Sequence, residues 1–320
     1  MKRILLVIFI SLISFNSKAQ EPSGTLARAD SVACDGNGTA IIIDPGTNPC
    51  EFRPDIQKIT FLRLDLCTAK PTAPTTSAAL DRTNCATYFK NDSGAEVSVQ
   101  QGGGTPIGTA SDFSAVPYES YTHGVITMHP VFKYTSSVTF SDTMSDQTNS
   151  STTCVTRPGS VNKIYNFHRS LSSTQSNVSC ETGAVASEIK IGVNVLQTVE
   201  IGGADHCIHL LNFNGTNGIV AAYLLEADDT LHNDVPGTDI VPSSSEGCTS
   251  GTDNEISKVM GVMTLANPIE VTKCTKGIRI AYNNTQGLAI DLESDSKIYM
   301  WSPSFFDFSL QARQKSNAWC

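Results

Sequence analysis

Three groups of residues in this sequence carry chemistry: ten cysteines, an acidic run, and two histidines flanking a cysteine. The cysteines are Cys34, Cys50, Cys67, Cys85, Cys154, Cys180, Cys207, Cys248, Cys274 and Cys320. Their number is even, and none falls in C-x-x-C, the spacing of zinc ribbons and thioredoxin-like redox sites. Their pattern is that of a disulfide framework. Ten cysteines allow about 945 connectivities. Closing a short loop costs less chain entropy than closing a long one, which favours neighbours: Cys34–Cys50, Cys67–Cys85, Cys154–Cys180, Cys207–Cys248 and Cys274–Cys320. The last pair would pin a tail that otherwise frays; the alternative for Cys320 is an intermolecular bridge.

The acidic run is Asp228-Asp229-Thr230-Leu231-His232-Asn233-Asp234, with Asp239 beyond it. Calcium takes roughly six to eight hard oxygens. Asp228, Asp229, Asp234 and Asp239 are the weak candidates to supply them, without EF-hand spacing or its central glycine; a solvated acidic loop is the alternative. Asp253-Asn254-Glu255 is a thinner cluster of the same kind. Calcium is the only cofactor suggested. His206 and His209 flank Cys207. On a helix they would share a face and could hold a metal. On a strand an offset of three puts them on opposite faces, and the surroundings favour a strand. Tyr299, Trp301, Phe305, Phe306 and Phe308 concentrate aromatic area near the end of the sequence. Trp301 is a weak candidate platform for a sugar ring, and core packing of terminal strands is the alternative.

Signatures of enzymes are missing. No H-E-x-x-H, G-x-S-x-G, P-loop or G-x-G-x-x-G occurs, and Gly102-Gly103-Gly104 precedes no helical pattern. The expectation is a non-enzyme. A hydrolase whose carboxylates or triad are scattered across the fold is the most distant alternative.

The cysteines need an oxidising compartment, and the first nineteen residues supply a route to one. Lys2 and Arg3 precede an apolar run over residues 4–15, and Ser17-Lys18-Ala19 forms a small-residue exit. This is the anatomy of a secretory signal peptide, and its apolar run is shorter than the about 20 residues a membrane span needs. Removing it takes the cations from 22 to 19 against 31 acids, so the formal charge moves from −9 to −12. An acidic surface repels phosphates, which excludes nucleic acid as a partner. No cysteine follows the cleavage point directly, so a free secreted, cell-surface or periplasmic form is expected rather than a lipoprotein. Asn37, Asn91, Asn149, Asn177, Asn214 and Asn283 stand in N-x-S/T sequons, which matter only in a glycosylating host.

The elements that must position these residues read as strands. Long helical periodicity is absent, and short alternating runs lie between Gly, Pro, Asn and Ser. In residues 59–66, Leu62, Leu64 and Leu66 take one face, with Phe61, Arg63 and Asp65 on the other. Asn91-Asp92-Ser93-Gly94 is a turn before a strand at 96–99, and residues 100–115 are a loop. Residues 125–134 are extended with Pro130 inside, which predicts an edge or bulged strand. Residues 135–160 are mostly Ser, Thr, Asp and Asn, which predicts a lobe boundary or a long surface excursion. Residues 189–195, 219–225 and 258–265 are further strands. Residues 278–282 and 288–292 form a predicted hairpin around a five-residue loop, followed by strands at 298–301 and 305–310. Short helices fit only 163–172 and 253–261. This makes roughly eleven to thirteen strands, at sandwich spacing.

Val116-Pro117-Tyr118-Glu119-Ser120-Tyr121 resembles the V-P-x-G-x-Y turn that leads into a strand in secreted prealbumin-like sandwich domains, with Glu119 where that pattern has glycine. The resemblance implies a β-sandwich lobe and no activity. The expected fold is all-β: one or two antiparallel β-sandwich lobes stapled by disulfides. A signal peptide over 1–19 would precede an N-terminal lobe over 20–145 and a C-terminal lobe over 146–320, or a single domain. The expected function is a secreted structural or adhesive protein, such as a surface or extracellular filament subunit. Its partners would be other protein subunits, an extracellular surface or glycan, or a second copy in a homo-oligomer. An extracellular glycan- or ligand-binding module is the alternative.

Overall fold

The computed structural model describes residues 32–33, 50–99, 105–146, 148–158, 177–192, 197–201, 204–208, 210–215, 218–232, 240–242, 256–285, 287–294, 297–303 and 307–315. Among them the chain forms twenty strands, one 3-10 turn at Ala110–Asp112 and no α-helix. The segments 163–172 and 253–255 lie outside the described residues, and the rest of the expected helix at 253–261 instead opens the strand Lys258–Glu270.

Seven strands make one sheet, in the order β1 (Val32–Ala33), β2 (Cys50–Phe52), β18 (Leu288–Ser294), β19 (Lys297–Pro303), β7 (Ser137–Ser145), β8 (Ser150–Thr156) and β9 (Val178–Ser179). An eight-stranded sheet is built around β3 (Ile56–Cys67). One edge of β3 carries β4 (Cys85–Val99). The other is shared by β5 (Ser120–Met128) and β6 (Val131–Thr135). Beyond β6 lies β10 (Ile189–Gly192); beyond β5 follow β16 (Lys258–Glu270), β14 (Gly218–Leu225) and β13 (Leu210–Gly215). A three-stranded sheet joins β11 (Gln197–Ile201), β12 (Ala204–Ile208) and β15 (Ile240–Pro242), and β17 (Thr275–Asn283) pairs with β20 (Asp307–Gln314). Pairing is antiparallel except for β1–β2 and β19–β7. The layers form an open sandwich that does not close into a barrel.

One apolar core joins three of these sheets. It takes Ile59, Leu64, Leu66, Ile126 and Phe132 from the large sheet, Val138, Phe140, Leu288, Ile290 and Ile298 from the seven-stranded one, and Ile278, Ile280 and Leu310 from the β17–β20 pair. Phe308 meets Phe61 edge-on at 6.3 Å between centroids and Tyr282 at 4.9 Å. Strands from both sides of residue 145 enter the same sheets: β5 pairs with β16, and β7 pairs with β8.

Four local expectations are corrected. A bulge between Phe61 and Arg63 shifts the parity of β3, so Phe61 joins Leu64 and Leu66 in the core and Leu62 does not. The stretch after residue 135 is no surface excursion: residues 137–156 fold into the β7–β8 hairpin, where Val138, Phe140 and Met144 share one parity and are buried among β-tolerant threonines. Pro130 sits inside the sheet, where the chain leaves β5, flanked by β16, and enters β6, flanked by β10. The break keeps its hydrogen bonds, since the His129 N–H donates to Thr60 O at 2.9 Å and the Val131 N–H to His129 Nδ1 at 3.2 Å. Finally, β17 and β18 are no hairpin but belong to different sheets. Between them Asn284 turns inward, 7% exposed, and its Nδ2 donates to the buried Gln57 Oε1 at 3.1 Å.

Candidate functional site

Among the described residues one strongly constrained surface feature is the segment between Cys67 and Cys85. β3 ends at Cys67, β4 starts at Cys85, and the two cysteines face each other across the ladder and are bonded. The intervening chain folds back over the second face of the eight-stranded sheet. Its Leu80 packs into a separate apolar cluster with Cys67, Val125, Ala221, Tyr223, Leu225, Leu231, Met260 and Val262. Pro71 and Pro74 are buried as well. Isolated bridges join Thr72 to Asp81 and Thr75 to Ala78. A longer-range hydrogen bond runs from the Leu231 N–H to Thr75 O at 2.9 Å. At its tip Thr72, Ala73, Thr75, Thr76, Ser77, Ala78 and Ala79 are exposed and uncharged, with the exposed charges of Lys70 and Asp81 at its base.

Beneath this excursion lies a chain of charges. Asp65 is completely buried. Arg63 Nε donates to both its oxygens at 2.8 Å, and Arg82 Nε to Oδ2 at 3.1 Å. Arg63 Nη2 also donates to Thr87 Oγ1 at 2.7 Å. Arg82 Nη1 reaches Asp229 Oδ2 at 3.3 Å, and Lys258 Nζ donates to Asp229 Oδ1 at 2.5 Å. A buried carboxylate needs partners for its charge and its lone pairs, and Asp65 draws them from its own strand and from the excursion. Arg82 then links β3 to the 226–232 turn.

The second described disulfide, Cys154–Cys180, joins β8 to the start of the segment after β9. Asp146, 5% exposed, stands at the β7–β8 turn. It accepts amide hydrogen bonds from Thr148 at 2.6 Å, Asn149 at 2.7 Å and Cys180 at 2.8 Å. Burial pushes its pKa up, but those amides outweigh burial and hold it below the ordinary carboxylate value. Cys274 is also disulfide-bonded. Cys34, Cys248 and Cys320 lie outside the described residues, as do the side chains of Cys50 and Cys207.

The other candidates fall out as follows. Asp228 accepts from the Thr230 amide at 3.1 Å and hydroxyl at 2.6 Å, which lowers its pKa. Asp229 adopts the left-handed backbone region at φ 69° and has both oxygens engaged by Lys258 and Arg82. Asp234, Asp239 and His209 are outside the described residues, and among those described no group of three metal-ligating side chains converges. His206 lies on β12 opposite Val199 and Pro242, and Trp301 on β19 opposite Ile290; their side chains are not described. The Val116–Tyr121 turn does lead into β5. The buried Tyr121 ring donates its hydroxyl back to Pro117 O at 3.0 Å, a corner of the kind found in sandwich domains.

Asp65, Arg82 and Asp146 escaped the sequence. Asp65 alternates with leucines, which ordinarily marks a solvent-facing position on a half-buried strand. Arg82 belongs to a loop, where no periodicity applies. No protein family, no curated protein and no solved structure matches the chain. Among the described residues no helix is long and apolar enough to cross a membrane.

Proposed function

We propose that the chain is an extracellular structural or adhesive protein whose contact surface is the exposed tip of the 68–84 excursion. The supporting observation is the buried Asp65–Arg82 pair, which with the Cys67–Cys85 bond fixes the base of a loop whose outer side chains face solvent. Function gathers on loops held by rigid scaffolds, and a loop ordered in advance loses less entropy on contact. The tip offers hydroxyls and methyls without charge, which suits a neutral polar surface such as a glycan layer or another extracellular protein. The leader-like first nineteen residues and the disulfides agree with an oxidising compartment.

The test has two arms. Fractionation of the source cells is expected to place the chain outside the cytosol, beginning at Gln20 with oxidised cysteines; a cytosolic chain with free thiols contradicts the proposal. Beads coated with the purified protein are expected to bind the source cells' envelope fraction. Ser77→Glu is expected to weaken that binding about tenfold, as an uncompensated charge does at a neutral contact, whereas Thr139→Glu on exposed β7 leaves it unchanged. Equal loss in both variants, or in neither, removes the tip from the account.

A further inference from the structure

The edges of the two large sheets are not alike. An unpaired edge strand is a template for another chain, and soluble proteins blunt it with short strands, bulges and charges. Four of the five described edges carry such devices. β1 and β9 are two residues long. β10 has four residues, with Lys190 exposed among them. β4 is interrupted at Asn91–Gly94, where four residues are inserted opposite Leu62. It carries exposed Lys90, Asp92 and Glu96, and it is met at Tyr88 and Phe89 by Phe113 and Ser114.

β13 carries none of these devices. It is six residues, Leu-Leu-Asn-Phe-Asn-Gly, with no charge and no proline. Among the described residues it pairs only with β14, in unbroken register from Leu210–Tyr223 to Gly215–Gly218. Half the backbone donors and acceptors of a strand in such a ladder point away from its neighbour. At the end of that ladder Gly218, at φ 142°, lies so close to β16 that a Cβ there would fall 1.7 Å from Thr264 O.

We infer that β13 is a self-association edge and that its partner is the β13 of a second copy of this chain, paired antiparallel about a two-fold axis. The two eight-stranded sheets then become one continuous sheet. Charge selects the occupant. The chain is strongly acidic, at −9, so copies repel except along an uncharged strip. β13 is such a strip, and pairing it with itself sets no like charges opposite one another. A two-fold arrangement gives each copy the same contacts and closes the assembly at a dimer. This inference is independent of the tip at 72–79, so each stands or falls alone.

Sedimentation over a roughly hundredfold range of concentration is expected to show a monomer–dimer equilibrium by mass action. Asn212→Lys and Asn214→Lys are each expected to raise its Kd about tenfold, since they place like charges across the symmetric ladder. Ser93→Lys, on the blunted β4 edge, leaves the Kd unchanged. Hydrogen exchange of the wild-type chain needs no variant: protection over 210–215 is expected to rise with concentration while that over 91–94 stays constant. A monomer at every concentration, a dimer indifferent to both Asn substitutions, or exchange over 210–215 independent of concentration overturns the inference.

Discussion

The two described disulfides each sit beside a buried aspartate, and the two aspartates are satisfied in opposite ways. Asp65, two residues before Cys67, is held by the guanidinium groups of Arg63 and Arg82. Asp146, near Cys154–Cys180, is held by three backbone amides, one of them the amide of Cys180 itself. Two of these amides come from the local turn, and the Cys180 amide ties that turn to the segment after β9. Guanidinium groups arrive on long side chains, so the first arrangement ties residues 63, 65, 82, 229 and 258 into one unit. The first staple couples segments through a chain of side-chain charges, and the second pins the β7–β8 turn and β8 to the segment after β9 through backbone amides and a disulfide. Only the first leaves a neutral tip projecting from the fixed base.

The comparison breaks most sharply at Asp65. Asp65→Ala leaves Arg63 and Arg82 facing each other without their anion and is expected to cost about 4 kcal/mol. Asp146→Ala orphans amides at a surface turn and is expected to cost about 2 kcal/mol. Chemical denaturation of both variants checks the order. Equal costs would show that the charge chain adds nothing beyond an ordinary turn.

Acid sharpens the difference. His123 is held below its ordinary pKa by burial, with Lys70 adding to the effect, and the exposed His129 is shifted the same way by partial desolvation and by Lys133. Below about pH 6.5 the unfolded chain takes up these protons first, so stability falls as pH drops through that range. Asp146 has a lowered pKa, as does Glu188, chiefly through its hydrogen bond from Lys58. Their contribution is complete above the ordinary carboxylate pKa of about 4 and is lost as pH falls further. Urea midpoints measured from pH 8 to 3 are expected to decline in these two stages, and Asp146→Asn is expected to flatten the second. An unchanged second stage would remove Asp146 from the acid response.

The class of fold was legible because alternation and turn residues are local signals. Residues 219–225 and 189–192 announce strands by themselves. The β7–β8 hairpin was hidden because hydroxyl side chains suit both loops and exposed strand faces, and only Val138, Phe140 and Met144 distinguish the two. The parity of β3 was misjudged because a bulge is set by its partner strand, here the Asn91–Gly94 insertion of β4. The charge chain was illegible for the same kind of reason. Asp65 and Asp229 are far apart in sequence, and no spacing rule joins a carboxylate to an arginine brought in by another loop. The cysteine pairs 67–85 and 154–180 were legible because they close short loops.

Backbone relaxation of the wild-type protein by NMR tests most directly whether the excursion is held in advance of contact. The account predicts order parameters near the rigid value of about 0.85 across residues 75–79, matching the strands on either side. Values below about 0.6 at the tip, with the strands rigid, would contradict it.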